Sequence, residues 1–174
     1  MFTSFFPKPR WFLLSAIIWS ITLICTWYLL GDYLGLLIGF QFNSPDPVIG
    51  LKHFITHEFL WFDLYFWIGV FSFYMFWKFL NPHIWQLWSI LGSALLIFLS
   101  YASVQVSVVI NAWYGPFYDD IQAALSNPNS VSAATLYQHF LIFSSIAFPY
   151  IAFIIFNRFF TAHFIFRWRN AMND

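Results

Sequence analysis

The sequence predicts an all-α integral membrane protein with about four transmembrane helices in a single domain, residues 1–174, and both termini on the cytoplasmic side. Three observations predict it. Only 8% of the residues are charged and 61% are apolar, whereas a water-soluble domain carries about 25% charged residues to cover its surface. Four apolar runs each reach the roughly 20 helical residues that cross a hydrocarbon core of about 30 Å. The cationic residues, finally, fall on alternate connections between those runs.

The first run, residues 11–30, WFLLSAIIWSITLICTWYLL, holds no charge. It exceeds a secretory h-region, and no small-x-small cleavage site follows it, so a retained anchor is expected. Residues 31–59 then form an outer segment broken by NSPDP, and the stretch YLGLLIGF (residues 33–40) is too short to cross and is expected to rest in the interface. The second run, residues 60–80, has Asp63 and Lys78 only near its ends; the third, residues 87–110, is uncharged. The fourth, residues 136–160, has His139 and Arg158 near its ends and Pro149 inside, where a missing N–H should kink the helix. Trp and Tyr crowd the ends of the runs, as at membrane interfaces. Past the fourth run, FFTAHFIFRWRNAMND reads as helix continuing into the cytoplasm.

Orientation follows from Lys and Arg. With the N-terminus inside, Lys8, Arg10, Lys78, Arg158, Arg167 and Arg169 are inner and only Lys52 is outer. The formal net charge of +0 gives no reason to expect a nucleic-acid partner. Cys25 stands alone in an apolar run and reads as a small buried hydrophobe. No phosphate-binding loop, nucleophile elbow or mid-membrane His pair is present. Neither an enzyme nor a cofactor protein is expected. His53 and His57, followed by Glu58, have the i, i+4 spacing that metal sites use, yet no third ligand is in sight, so no metal is assigned.

The chemistry-bearing residues concentrate between the third and fourth runs, in NAWYGPFYDDIQAAL, residues 111–125. Pro116 fits a first helical position, Asp119 and Asp120 then favour the positive end of the helix dipole, and Phe117, Ile121 and Leu125 share a face. That describes a short amphipathic helix on the outer leaflet, anchored by Trp113 and Tyr114. It also describes a rim of a substrate path, with Asn111, Trp113, Tyr114, Pro116, Phe117, Tyr118, Asp119 and Gln122 around it and the acids drawing cationic ligands. Within the third run, Ser93, Ser100, Ser103 and Ser107 lie on one face. Such a small-polar stripe is by default a packing seam, and the alternative is pathway lining. Gln105 must face a neighbouring helix or a wet cavity, since a buried amide without partners is costly.

These blocks resemble the SbmA/BacA family of bacterial inner-membrane peptide transporters. The resemblance runs through FFPKP, FLLSA, PHIWQLWSILGSALLIF, INAWYGPFYDDIQAALSNP and HFIFRWRNAMN in order, and spares the outer segment near residues 31–58. It implies import of peptides and peptide antibiotics by a homodimer in the inner membrane, driven by protons and not by ATP. It further implies an ABC-exporter-like core in which the third and fourth runs are the first helix pair and the first two runs are peripheral. The chain would then be the N-terminal portion of a longer transporter, whose proton-carrying glutamates lie mostly downstream. Relatives carry Glu where this chain has Gln105, and a neutral amide cannot hold that proton. Without an acid at mid-depth, these four runs are not expected to transport alone. Two other readings stand beside this one: the membrane part of an ABC transporter without its nucleotide-binding domain, and a small membrane scaffold.

Overall fold

The computed structural model describes residues 5–42 and 48–173. Among these residues four α-helices follow one another: α1 Pro9–Ile38, α2 His57–Leu80, α3 Ser93–Ser126 and α4 Ala133–Asn173. A 3₁₀ turn, Leu51–Ile55, precedes α2, and a π-helical turn, Leu87–Gly92, leads into α3. All four helices are long and apolar enough to cross a membrane.

Their boundaries have local causes. Pro9 opens α1, where its missing N–H leaves nothing unpaired. Gly39, at φ 101°, closes it: its N–H bonds Leu36 O at 3.1 Å and the Phe40 N–H bonds Gly35 O at 2.9 Å. That pair of bonds is a Schellman cap, whose left-handed residue suits glycine. The Thr56 hydroxyl accepts the Phe59 N–H at the start of α2, and the Ser132 hydroxyl accepts the Thr135 N–H at 3.1 Å at the start of α4.

Between membrane helices there is little hydrophobic driving force, so close packing and buried polar bonds must hold them. Here aromatic donors do that work. On the α1–α2 seam, Trp61 Nε1 donates to Gly31 O at 3.0 Å, Trp19 Nε1 to Gly69 O at 3.1 Å, Tyr65 to Leu23 O at 2.7 Å and Trp77 Nε1 to Ser15 Oγ at 3.0 Å. Gly69 lies under the Leu23 side chain: a Cβ there would sit 2.6 Å from Leu23 Cδ1, so the leucine tip would have to turn aside. At one end of the bundle Phe12, Phe73, Trp77 and Ile90 form a buried cluster; toward the other, Val106, Val109 and Ile146 form a second. The outward side chains Ile17, Ile18, Ile21 and Ile24 of α1 are exposed, as lipid contact requires.

Several expectations change. The helix α1 does not stop near residue 30 but carries YLGLLI onward to Ile38, because nothing before Gly39 breaks it. The NSPDP break lies outside the described residues. His53 and His57 do not share a helical face, since His53 belongs to the 3₁₀ turn and His57 opens α2 after the Thr56 cap. Cys25 is exposed, on the outward face of α1. Helix α4 passes through Pro149 and on to Asn173, so the helical continuation of the last run is present.

Pro116 is the largest change. It does not start a helix: α3 runs unbroken through it from Ser93 to Ser126. Proline disfavours helical backbone in the preceding residue partly by clashing with its Cβ, and here that residue is Gly115, with open space around the missing Cβ. Asp119 and Asp120 therefore lie in the last two turns of α3 and not in a first turn.

Candidate functional site

Trp88 stacks on Phe160 with 6.4 Å between ring centroids at one end of the α3–α4 pair, and Val109 packs with Ile146 and Ile142 near the other. From Trp88 to Val109, and from Ile142 to His163, each helix rises roughly 30 Å at 1.5 Å per residue, which matches a hydrocarbon core. The 3₁₀ turn is seated at the second level, with Phe54 against the Val109–Ile146 cluster. Beyond it α3 continues for roughly 25 Å to Ser126. Residues 111–141 are thus a two-helix arm that projects past the level of the 3₁₀ turn, closed at its tip by residues 127–132.

The arm splits the motif into two faces. Trp113, Phe117 and Asp120 turn toward α4. Trp113 is 5% exposed, stacks on Phe117 at 4.6 Å, meets Phe143 tilted at 4.9 Å, and donates its Nε1 proton to His139 O at 3.0 Å. Asp120 Oδ2 lies 2.8 Å from His139 Nε2. An acid near a helix C-terminus opposes the dipole, and this His partner offsets that. At the tip, Ser130 Oγ bonds Ala123 O at 2.9 Å, and Asn129 takes the left-handed conformation at φ 69°.

Asn111, Tyr114, Tyr118, Asp119 and Gln122 form the other face, all exposed, at helical spacings of three, four, one and three. Tyr114 and Tyr118 stack with centroids 5.7 Å apart. Pro116 is exposed as well. Of the eight predicted rim residues, Trp113 and Phe117 are therefore structural packing, and the other six are exposed, five of them as an open aromatic and acidic stripe.

Gln105 faces a neighbour as expected. Its Oε1 lies 3.0 Å from His53 Nε2, so the amide fastens the 3₁₀ turn to α3. The partner was not legible in the sequence, 52 residues away. The serine stripe, by contrast, is not the α3–α4 seam. Ser100 and Ser107 are exposed and bond back to Leu96 O and Ser103 O of their own helix, while the buried face of α3 is Ala94, Leu99, Val106, Val109 and Trp113. Ser103 alone of the predicted lining residues Ser100, Ser103 and Ser107 borders a cavity of about 570 Å³, together with Asn157, Arg158 and Thr161.

Asp63 looked terminal in the sequence, but α2 begins at His57, which places Asp63 two turns inside the helix. Its Oδ1 is buried without a hydrogen-bond partner among the described residues. Only the helix start, set by the Thr56 cap, reveals this.

At the opposite end, Trp88 packs against His163 at 5.2 Å, and the Arg167 guanidinium lies 5.4 Å from the Trp88 ring. Gln86, 3% exposed, donates to Tyr74 O at 2.9 Å and fixes the π turn against α2. These residues belong to the PHIWQLW and HFIFRWRNAMN blocks, so the two blocks meet in space. A family model described as the SbmA/BacA-like family matches residues 82–174, from just before the π turn through α3 and α4. The matched region contains both of those blocks and the whole arm, and leaves α1 and α2 outside. With four helices apt for spanning and just over half of the chain matched, this multi-pass membrane protein belongs to the SbmA/BacA-like family.

Proposed function

We infer that this chain takes part in peptide import across a bacterial inner membrane, as a portion of a proton-driven, homodimeric transporter whose termini here face the cytoplasm. The observation that carries this reading is the family match over the α3–α4 pair, which suggests a membrane transporter of peptides. The open stripe on the arm, Asn111, Tyr114, Tyr118, Asp119 and Gln122, then serves as the outer rim of the path. Its tyrosine rings offer stacking surfaces and its carboxylate attracts basic residues. Ser103, which borders the same cavity as Arg158, is the part of the serine stripe that lines a path. Ser100 and Ser107 face outward and are open to further helices.

The test is uptake. The gene encoding this chain is deleted from its host, and entry of a dye-labelled, proline-rich cationic peptide is measured with and without a protonophore. Loss of uptake on deletion, and its abolition by the protonophore with ATP levels held, are the expected results. Unchanged uptake in the deletion strain would overturn the reading. Uptake that survives the protonophore and stops on ATP depletion would favour an ABC transporter instead.

A further inference from the structure

The cavity bordered by Asp63 is the feature that peptide transport leaves unexplained. It measures about 470 Å³ and lies between α2, α3, α4 and the 3₁₀ turn. Its wall is almost entirely apolar and rich in rings, among them Phe59, Phe98, Tyr150, Phe153 and Phe156. Among the described residues Asp63 is the single charged one on that wall, and its buried Oδ1 finds no partner there. His53, in the turn beside the cavity, is engaged with Gln105 through its Nε2. A leucine would fill this position without the penalty of an unpaired buried oxygen. Ionisable side chains inside membrane spans mark ligand or ion sites more often than packing.

We propose that this cavity binds a hydrophobic organic cation, its charge on the Asp63 carboxylate and its apolar body among the phenylalanine rings. Three features select that class of ligand. The volume falls in the range of roughly 300–1,000 Å³ that holds drug-sized molecules. Aromatic faces attract cations and accept an apolar body equally well. Among the described residues the cavity supplies one negative charge and a single hydroxyl donor, that of Tyr150, which disfavours anions and sugars. A hydrated metal ion is excluded by the same wall, because nothing replaces the water ligands it would lose. Binding here is separate from peptide import, and it is read without any transport.

The probe is radiolabelled tetraphenylphosphonium, titrated by equilibrium dialysis against the purified protein in nanodiscs. Saturable binding at one site per chain is expected. Asp63→Asn should weaken it about thirtyfold or more, as removal of one partner of a buried charge pair does. Asp63→Glu should keep it, and Phe98→Ala should weaken it while leaving the carboxylate in place. Triphenylphosphine oxide, the uncharged analogue, should bind weakly and without dependence on residue 63. Helix content and the elution volume of each variant confirm the fold, and Asp32→Asn, on α1 away from the cavity, should bind as the unaltered protein does. Absence of saturable binding to the unaltered protein overturns the proposal. So does equal binding by a folded Asp63→Asn variant.

Discussion

Replacing Trp113 tests whether the arm is a packed unit that presents its outer stripe rigidly. The indole is 5% exposed, stacked on Phe117, in tilted contact with Phe143, and bonded to His139 O. Trp113→Ala removes the ring, both ring contacts and the bond, and core Trp→Ala changes cost about 3–5 kcal/mol. Trp113→Phe keeps an aromatic ring and loses the indole donor, worth about 1 kcal/mol. The His139 carbonyl stays within a helix, so it is not stranded by that change. The arm lies beyond the stretch that matches the bilayer core, so values from water-soluble proteins apply. Amide hydrogen exchange across residues 111–141 reads the local opening free energy. At 1.4 kcal/mol per decade, a loss of about 4 kcal/mol speeds exchange roughly 700-fold, and a loss of about 1 kcal/mol roughly fivefold. Equal acceleration by the two variants would show that the hydrogen bond, not the stacking, holds the arm. No acceleration by Trp113→Ala would show that the arm is not held at Trp113, and the rigid-rim argument would fail with it.

Other outcomes follow from the same geometry. A double-mutant cycle with Asp120→Asn and His139→Gln should give a coupling of about 0.5–1 kcal/mol, modest because the Asp120 side chain is 34% exposed; a coupling of zero by hydrogen exchange would remove the pair from the account. Gly92→Ala should lower the thermal midpoint, since its Cβ would meet Phe164 Cε2 at 2.9 Å and Trp88 Cε3 at 3.3 Å, and overpacking costs about 1–3 kcal/mol. Gly69→Ala should be close to neutral, because the nearest atom is the tip of a leucine that can rotate and helix propensity gains about 1 kcal/mol; circular dichroism melts in detergent would reverse this ranking if the packing is misread. Gln105→Leu should raise amide exchange in residues 48–56 about fivefold by releasing the 3₁₀ turn from α3, a loss of about 1 kcal/mol.

Composition, hydropathy and caps suffice for much of this protein. Four long apolar runs become four helices because the bilayer requires every backbone group to be bonded within its own segment. The family blocks are strings of local sequence, and the match over residues 82–174 covers three of the five, while FFPKP and FLLSA lie outside it. Helix extent was less legible. Rules for an isolated segment place Pro116 at a helix start, yet in the folded chain Gly115 relieves the strain and Trp113, clamped by Phe117 and Phe143, carries the helix across.

Partners across the fold belong to tertiary structure alone. Gln105 with His53, Asp120 with His139 and the unpaired Asp63 oxygen all depend on which faces of separate helices meet. A hydropathy profile records how apolar a segment is and not where its few polar atoms point. The sequence by itself determined a helical membrane protein and its family, because solvent compatibility and motif are properties of the chain. Only the packing of α2, α3 and α4 decided that the arm is continuous helix with one structural and one open face. The same packing placed a lone carboxylate against an apolar cavity, because in lipid the few polar groups act only on what the fold brings beside them.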